Sequence, residues 1–179
     1  MDTKEMKSCK HKLNTILSTL YSDLEKEVKF DWCTSHSIFG LYDNIYSSIK
    51  SYKNFDFVPT RNTKLACDYV SRKSHLVIEY DEIQHFTYQR QLSLEAYPDD
   101  IKLYYNKETW IRLCKELHRK MNKKTDPYRD EKRALYDSIR DVMFPRFGYR
   151  LVRLYHGQIN FDSKNAKDEL LEIIDGQIK

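Results

Sequence analysis

The chain has 179 residues, 40% hydrophobic and 32% charged, and a net charge of +4 at pH 7. That length suits one domain with a real core, and the composition excludes a disordered chain. No apolar run approaches the about 20 residues of a bilayer span, which excludes a helical membrane protein.

The first dozen residues mix charges without an apolar core, so they do not form a secretion signal, and a cytoplasmic location is expected. The cysteines at 9, 33, 67 and 114 are scattered and form no Cys-x-x-Cys pair. They are therefore expected as free thiols, and Cys9 with His11 lacks the second ligand pair of a structural zinc site.

Leu13, Ile16, Leu17, Leu20, Leu24 and Val28 recur at helical spacing and predict an amphipathic helix over about 10–29. A second helix, about 37–52, carries Leu41, Ile45, Tyr46 and Ile49, with Asp43 early in the run. A strand over 55–58 ends at Pro59. Two more apolar stretches, Lys64 to Val70 and His75 to Phe86, are rich in β-branched, aromatic and aliphatic residues and predict strands.

Residues 89–100 form a loop or short helix ending in a turn at Tyr97-Pro98-Asp99-Asp100. A basic helix over about 107–122 follows. Another, with Pro127 in its first turn and Thr125 or Asp126 as cap, runs to about Met143. Residues 147–155 form a glycine-introduced strand, and 166–174 a helix ending at Gly176. This order predicts an α/β domain, a mixed sheet flanked by helices on both faces. The expected division is an N-terminal helical extension over 1–36, a core over 37–161 and a C-terminal helix over 162–179.

Acidic residues inside the two apolar strands carry the chemical signal. Side chains alternate along a strand, so Glu79 and Asp81 share one face. The segment 71–74 can turn the chain back and bring Asp68 within cross-strand reach of Glu79. An ionised carboxylate in such a strand is costly without a cation, so Asp68 and Glu79 are expected to hold Mg²⁺ or Mn²⁺ through oxygen ligands. Asp81 is a third ligand or binds a second ion. His85 is a candidate to orient or activate the attacking water or to protonate the leaving group, and Gln84 to hydrogen-bond the water or a phosphate oxygen.

Charge is unevenly spread. From Lys102 to Arg153 there are 15 Lys and Arg against 7 Asp and Glu, a local +8, which leaves 16 against 20, or −4, for the rest. That asymmetry favours a polyanionic partner. Arg112, Lys115, Arg119 and Arg133 are the candidate nucleic-acid contacts, while solvation of an outer helix face accounts equally for the cations of the basic helix. Tyr104, Tyr105 and Trp110 beside that helix are candidates either for stacking on bases or for core packing.

Four segments in order, Cys67-Asp68-Tyr69-Val70, Glu79 to His85, Asp130 to Arg133 and Gly148 to Arg153, resemble the PD-(D/E)XK or restriction-endonuclease-like nucleases. The nearest likeness is to the very-short-patch-repair endonuclease branch, and it spans about residues 37–161. The resemblance implies a restriction-endonuclease-like core, and a metal-dependent endonuclease that hydrolyses DNA phosphodiester bonds with Mg²⁺ or Mn²⁺. It also implies a metal-proximal acid from the preceding helix: Asp43 aligns best, with Glu25 or Glu27 as alternatives.

Two departures stand out. Asp81 occupies the position of the superfamily's common lysine, and Glu82 that of the branch's glycine. The lysine's role passes to His85, Gln84 or a basic residue from elsewhere, or catalysis is weakened and the chain is a nucleic-acid-binding module on a nuclease-like scaffold. Double-strand cutting would call for a homodimer. DNA is the expected partner, and restriction, homing and mismatch nicking all remain open.

Overall fold

The computed structural model describes residues 3–54, 56–57, 61–117 and 128–178. Six helices and four strands appear among them. In order they are α1 (Thr3–Leu20), β1 (Leu24–Thr34), α2 (Asp43–Ser51), β2 (Lys64–Ser71), β3 (Leu76–Asp81), α3 (Tyr88–Glu95), α4 (Lys107–Leu117), α5 (Arg129–Arg146), β4 (Arg150–Tyr155) and α6 (Ala166–Ile178). A turn of 3-10 helix, Ile83–His85, links β3 to α3.

The strands form one mixed sheet in the order β1-β2-β3-β4. The first two pairings are antiparallel and the last is parallel. A parallel neighbour needs a long crossover, here supplied by α3, α4 and α5. The predicted α/β class with helices on both faces is what the chain adopts. Alternation along β3 explains the two layers. Val77 faces the cluster built with α2 to α5, and Leu76, Ile78 and Tyr80 face the cluster with Leu13 and Leu17 of α1 and Leu170 and Ile174 of α6. Each of these four helix side chains is fully buried, worth roughly 1.5–3 kcal/mol apiece relative to exposure.

The largest departure from the sequence expectation lies at residues 21–34. The helix predicted over 10–29 stops at Leu20, and Leu24–Thr34 instead pairs with β2 in the register Val28↔Cys67. Leu24 and Val28 fit a helical period, but Val28, Phe30 and Trp32 also alternate as a strand, and Val28 and Phe30 are buried. Burial on the sheet outweighs local propensity. α1 covers one face of the sheet and β1 is its edge strand. Glu25 and Glu27, the alternative acids, stand exposed on that strand, and Glu27 has the left-handed φ of 53° opposite Asp68.

Other boundaries shift less. The second helix begins at Asp43, not Ser37, because 35–42 form turns. Of the strand expected over 55–58, Asp56 and Phe57 are in no regular element, and the rest lies outside the described residues. The basic helix is described to Leu117; its expected end, Arg119 and the cap at 125–127 lie outside the described residues. Residues 88–95 are helical, Thr87 accepting the Arg90 N–H as N-cap. Gly148, at φ 78°, makes the left-handed turn that leads into β4. Gly176 lies inside α6 instead of ending it. No helix among the described residues is long and apolar enough to cross a membrane.

Candidate functional site

β2 and β3 run antiparallel and pair from Ser71↔Leu76 to Tyr69↔Ile78. One step further, where Asp68 meets Glu79, side chains replace the ladder. The Asp68 N–H donates to Glu79 Oε1 at 3.1 Å, and the Tyr80 N–H donates to Asp68 Oδ2 at 2.9 Å. The predicted meeting of Asp68 and Glu79 is therefore present, and each carboxylate holds the other's strand. Lys10 of α1 stands 3.3 Å from Asp68 Oδ1 and 3.6 Å from Glu82 Oε1. Burial pushes the Glu79 carboxyl up to about 7; Arg140 opposes that rise and Asp68 adds to it.

Asp81 does not join them. Its carboxylate accepts from Arg153 Nη1 at 2.7 Å and from Trp110 Nε1 at 2.7 Å. Its nearest relations are His85, at 3.6 Å, and Asp137 of α5, which His85 Nδ1 meets at 2.9 Å. Ligand-type atoms of Asp81, His85 and Asp137 lie within 4.8 Å of one another, the sole such group among the described residues. The three strand-associated acids thus divide into two clusters. Arg140 bridges them, 3.7 Å from Glu79 and 3.3 Å from Asp137, with Nε and Nη2 donating to the Ala66 carbonyl.

The two clusters differ in their suitability for a divalent cation. In the second, Asp81 is satisfied by a fully buried arginine and an indole, and Asp137 is ringed by His85, Arg140 and Arg153. Burial alone would raise the Asp137 carboxyl, but His85 and then Arg153 and Arg90 hold it well below the usual range. A cation there would compete with arginines for every carboxylate, so this group fits a metal poorly. In the first, Asp68, Glu79 and Glu82 face Lys10 and the shared Arg140, and Glu79 holds its proton to near neutrality. Three carboxylates here stand against two cations, Lys10 and Arg140, and oxygen donors of this kind are those that Mg²⁺ or Mn²⁺ takes.

His85 has two opposed influences. Burial lowers its pKa, yet Asp137 and Asp81 outweigh burial and Arg133, and the imidazole titrates above its ordinary value. Gln84 bridges Glu82 Oε2, at 2.5 Å, and Arg129, at 3.0 Å, which links the first cluster to α5. Along α5, Arg129, Lys132, Arg133, Tyr136, Asp137 and Arg140 recur at helical spacing and with His85 line a cleft of about 290 Å³. Arg133 also donates to the Gln84 carbonyl at 2.9 Å.

The remaining candidates fall elsewhere. Asp43 is exposed at the start of α2 and accepts the Gly40 N–H at 2.9 Å; it is not brought into either cluster. Arg112 and Lys115 project from the solvent face of α4, whose inner face buries Trp110, Ile111, Leu113 and Cys114. Lys115 lies 3.9 Å from Glu95. Tyr105 and Trp110 are core residues. Tyr105 donates to Asp141 at 2.6 Å, within a buried network of Arg90, Tyr97, Ser138 and Arg153. Tyr104 is half-buried, with Lys102 over its ring at 4.8 Å.

Lys10, Asp137 and Arg140 are the site residues that local sequence does not single out. The signal available for Asp137 and Arg140 is their spacing with Asp141 on one helix face, since charges at i, i+3 and i+4 project together; none marks Lys10. The chain matches no protein-family model, no curated protein and no solved structure.

Proposed function

We propose that the chain is a metal-dependent phosphodiesterase acting on nucleic acid, with Asp68 and Glu79 as the residues that hold the ion. The observation that carries this reading is the cross-strand pairing of these two acids, each carboxylate accepting a backbone N–H of the other strand, with Arg140 of the α5 cleft 3.7 Å from Glu79. Nucleic-acid backbones are bound largely by Lys and Arg, and the carboxylate pair supplies the oxygen donors that Mg²⁺ takes while it keeps several waters. When bound, such an ion polarises a phosphoryl oxygen and lowers the pKa of a water.

The chain's own groups account for the rest. Arg129, Lys132, Arg133 and Arg140 bind and orient the phosphate backbone. Asp137 fixes the proton of His85 on Nδ1, so Nε2 is the atom that takes or delivers a proton. Lys10, against Asp68 and Glu82, supplies the positive charge that the Asp81 position lacks. DNA is the substrate favoured by the order of the four motifs, with Arg153 of the last strand paired to Asp81 of the second.

A second reading has its own observation. Asp81 and Asp137 are already neutralised by buried arginines, which favours a catalytically weakened module that binds nucleic acid on a nuclease-like scaffold. Incubating plasmid and single-stranded DNA with the purified chain and Mg²⁺ or Mn²⁺ separates the two. The first reading predicts cleavage by wild type that Asp68→Ala and Glu79→Ala abolish. Salt-sensitive binding without cleavage supports the second, and cleavage that survives both substitutions refutes the assignment of these carboxylates.

A further inference from the structure

Lys10 stands on the oxygen that a cation at Asp68 needs. Of the two Asp68 carboxylate oxygens, Oδ2 accepts the Tyr80 N–H at 2.9 Å and Oδ1 accepts from the Lys10 ammonium at 3.3 Å. The same ammonium lies 3.6 Å from Glu82 Oε1, and Arg140, the other cation at these acids, lies 3.7 Å from Glu79 Oε1. Ionised, the three carboxylates carry three negative charges against the two positive ones of Lys10 and Arg140. A divalent ion added to both cations leaves the cluster with a net positive charge. One that takes the place of Lys10 makes it neutral. Charges in a partly buried cluster are poorly screened by water, so the neutral arrangement is the favoured one.

The two cations differ in their freedom to leave. Arg140 donates twice to the Ala66 carbonyl and also meets Asp137 at 3.3 Å, with its side chain 15% exposed. The Lys10 side chain is 34% exposed, and a lysine carries its charge on a flexible four-carbon stem. The helix beneath it stays in place: Leu13 and Leu17 of α1 are fully buried, and the Tyr69 hydroxyl donates to the Lys10 carbonyl at 3.1 Å. The ammonium can therefore swing towards water without moving α1.

We propose that Lys10 is a built-in counter-ion of the Asp68 and Glu79 site, exchanged for a divalent cation when one binds. The inference rests on the reading of these two acids as metal ligands. An incoming ion has to displace an ammonium from a ligand oxygen, so Lys10 sets the affinity below what the acids alone give. Still tethered to α1, the displaced ammonium is free to face the substrate phosphate.

The test is calorimetric titration of Mn²⁺ into the full chain at pH 7.5, as wild type, Lys10→Met and Lys12→Met, each checked for native circular dichroism. Lys12, paired with Asp162 on the outside of the same helix, controls for the lost charge. Lys10→Met is expected to bind Mn²⁺ on the order of tenfold tighter than wild type, and Lys12→Met within about twofold of it. Thermal unfolding is the companion measurement: Lys10→Met loses stability in EDTA and gains more from saturating Mn²⁺ than wild type does. Wild type alone gives a further readout by mass spectrometry. Acetic anhydride is expected to label Lys10 slowly in EDTA and several-fold faster with saturating Mg²⁺, and to label Lys12 alike in both. A Lys10→Met affinity equal to or below that of wild type, or Lys10 labelling that Mg²⁺ leaves unchanged, overturns the proposal. Binding that Asp68→Asn removes and Lys10→Met leaves unaltered removes the exchange and keeps the metal site. No Mn²⁺ binding by any of these proteins removes both.

Discussion

Replacing Glu79 by glutamine gives the sharpest energetic expectation. Burial, opposed by Arg140 and reinforced by Asp68, raises the Glu79 carboxyl from its ordinary 4.5 to about 7. The folded chain therefore holds a proton that the unfolded chain has lost between these two values. Stability contributed by this group is unaffected below 4.5, falls as pH rises through the window, and carries the full penalty above 7. At about 1.4 kcal/mol for each tenfold change in proton affinity, the penalty is about 3 kcal/mol. Glutamine has no such titration, and its Oε1 still accepts the Asp68 N–H. Urea unfolding of both proteins at pH 5 and pH 8, without divalent ions, measures the effect, because the difference between them cancels the other titrating groups. The variant is expected to gain about 2–3 kcal/mol on wild type between the two pH values. A difference that does not change with pH refutes the reasoning, whatever its size.

The other expectations concern the buried ion pairs. Arg153 is fully buried between Asp81, at 2.7 Å, and Asp141, at 2.8 Å. Arg153→Met leaves Asp81 without its arginine and Asp141 with Arg90 as its one remaining arginine, and is expected to destabilise the fold by about 3–5 kcal/mol, read from thermal or urea unfolding; a loss under about 1 kcal/mol contradicts the pairing. His85 faces Asp137 and Asp81, which raise its pKa, and Arg133, which lowers it. The stability it contributes is fully present below its ordinary 6.5 and lost as pH rises through the higher folded value. A proton NMR titration of its ring is expected to give a midpoint above 6.5 that drops in Asp137→Asn. A wild-type midpoint at or below 6.5 is the contrary result.

Much of the fold was legible because period-two stretches such as 64–70 and 76–81 carry few competing signals. β1 was not, since Leu24 and Val28 continue the spacing of Leu13 to Leu20. Only pairing with β2 selects the alternation of Val28, Phe30 and Trp32. The site was half legible. Alternation places Glu79 and Asp81 on one face, and they do lie on one face of β3, but face alone does not decide the partner. In the β3–β4 register Arg153 stands beside Glu79, yet its guanidinium reaches along to Asp81, whereas the Glu79 carboxylate accepts the Asp68 N–H of β2. The partners that separate them, Arg153, Trp110, Arg140 and Lys10, arrive from distant segments through tertiary packing. Charge counting likewise located the basic half of the chain but not how its cations divide between two helices. Arg112 and Lys115 are exposed on α4, whereas the cations of α5 line the cleft.

The central claim is that Asp68 and Glu79 hold a divalent ion, and calorimetric titration of Mn²⁺ into the purified chain at pH 7.5 tests it most directly. One ion per chain is expected for wild type, with binding lost in Asp68→Asn and Glu79→Gln and kept in Asp137→Asn. No binding by wild type contradicts the claim, and so does binding that Asp137→Asn removes while Asp68→Asn leaves it intact.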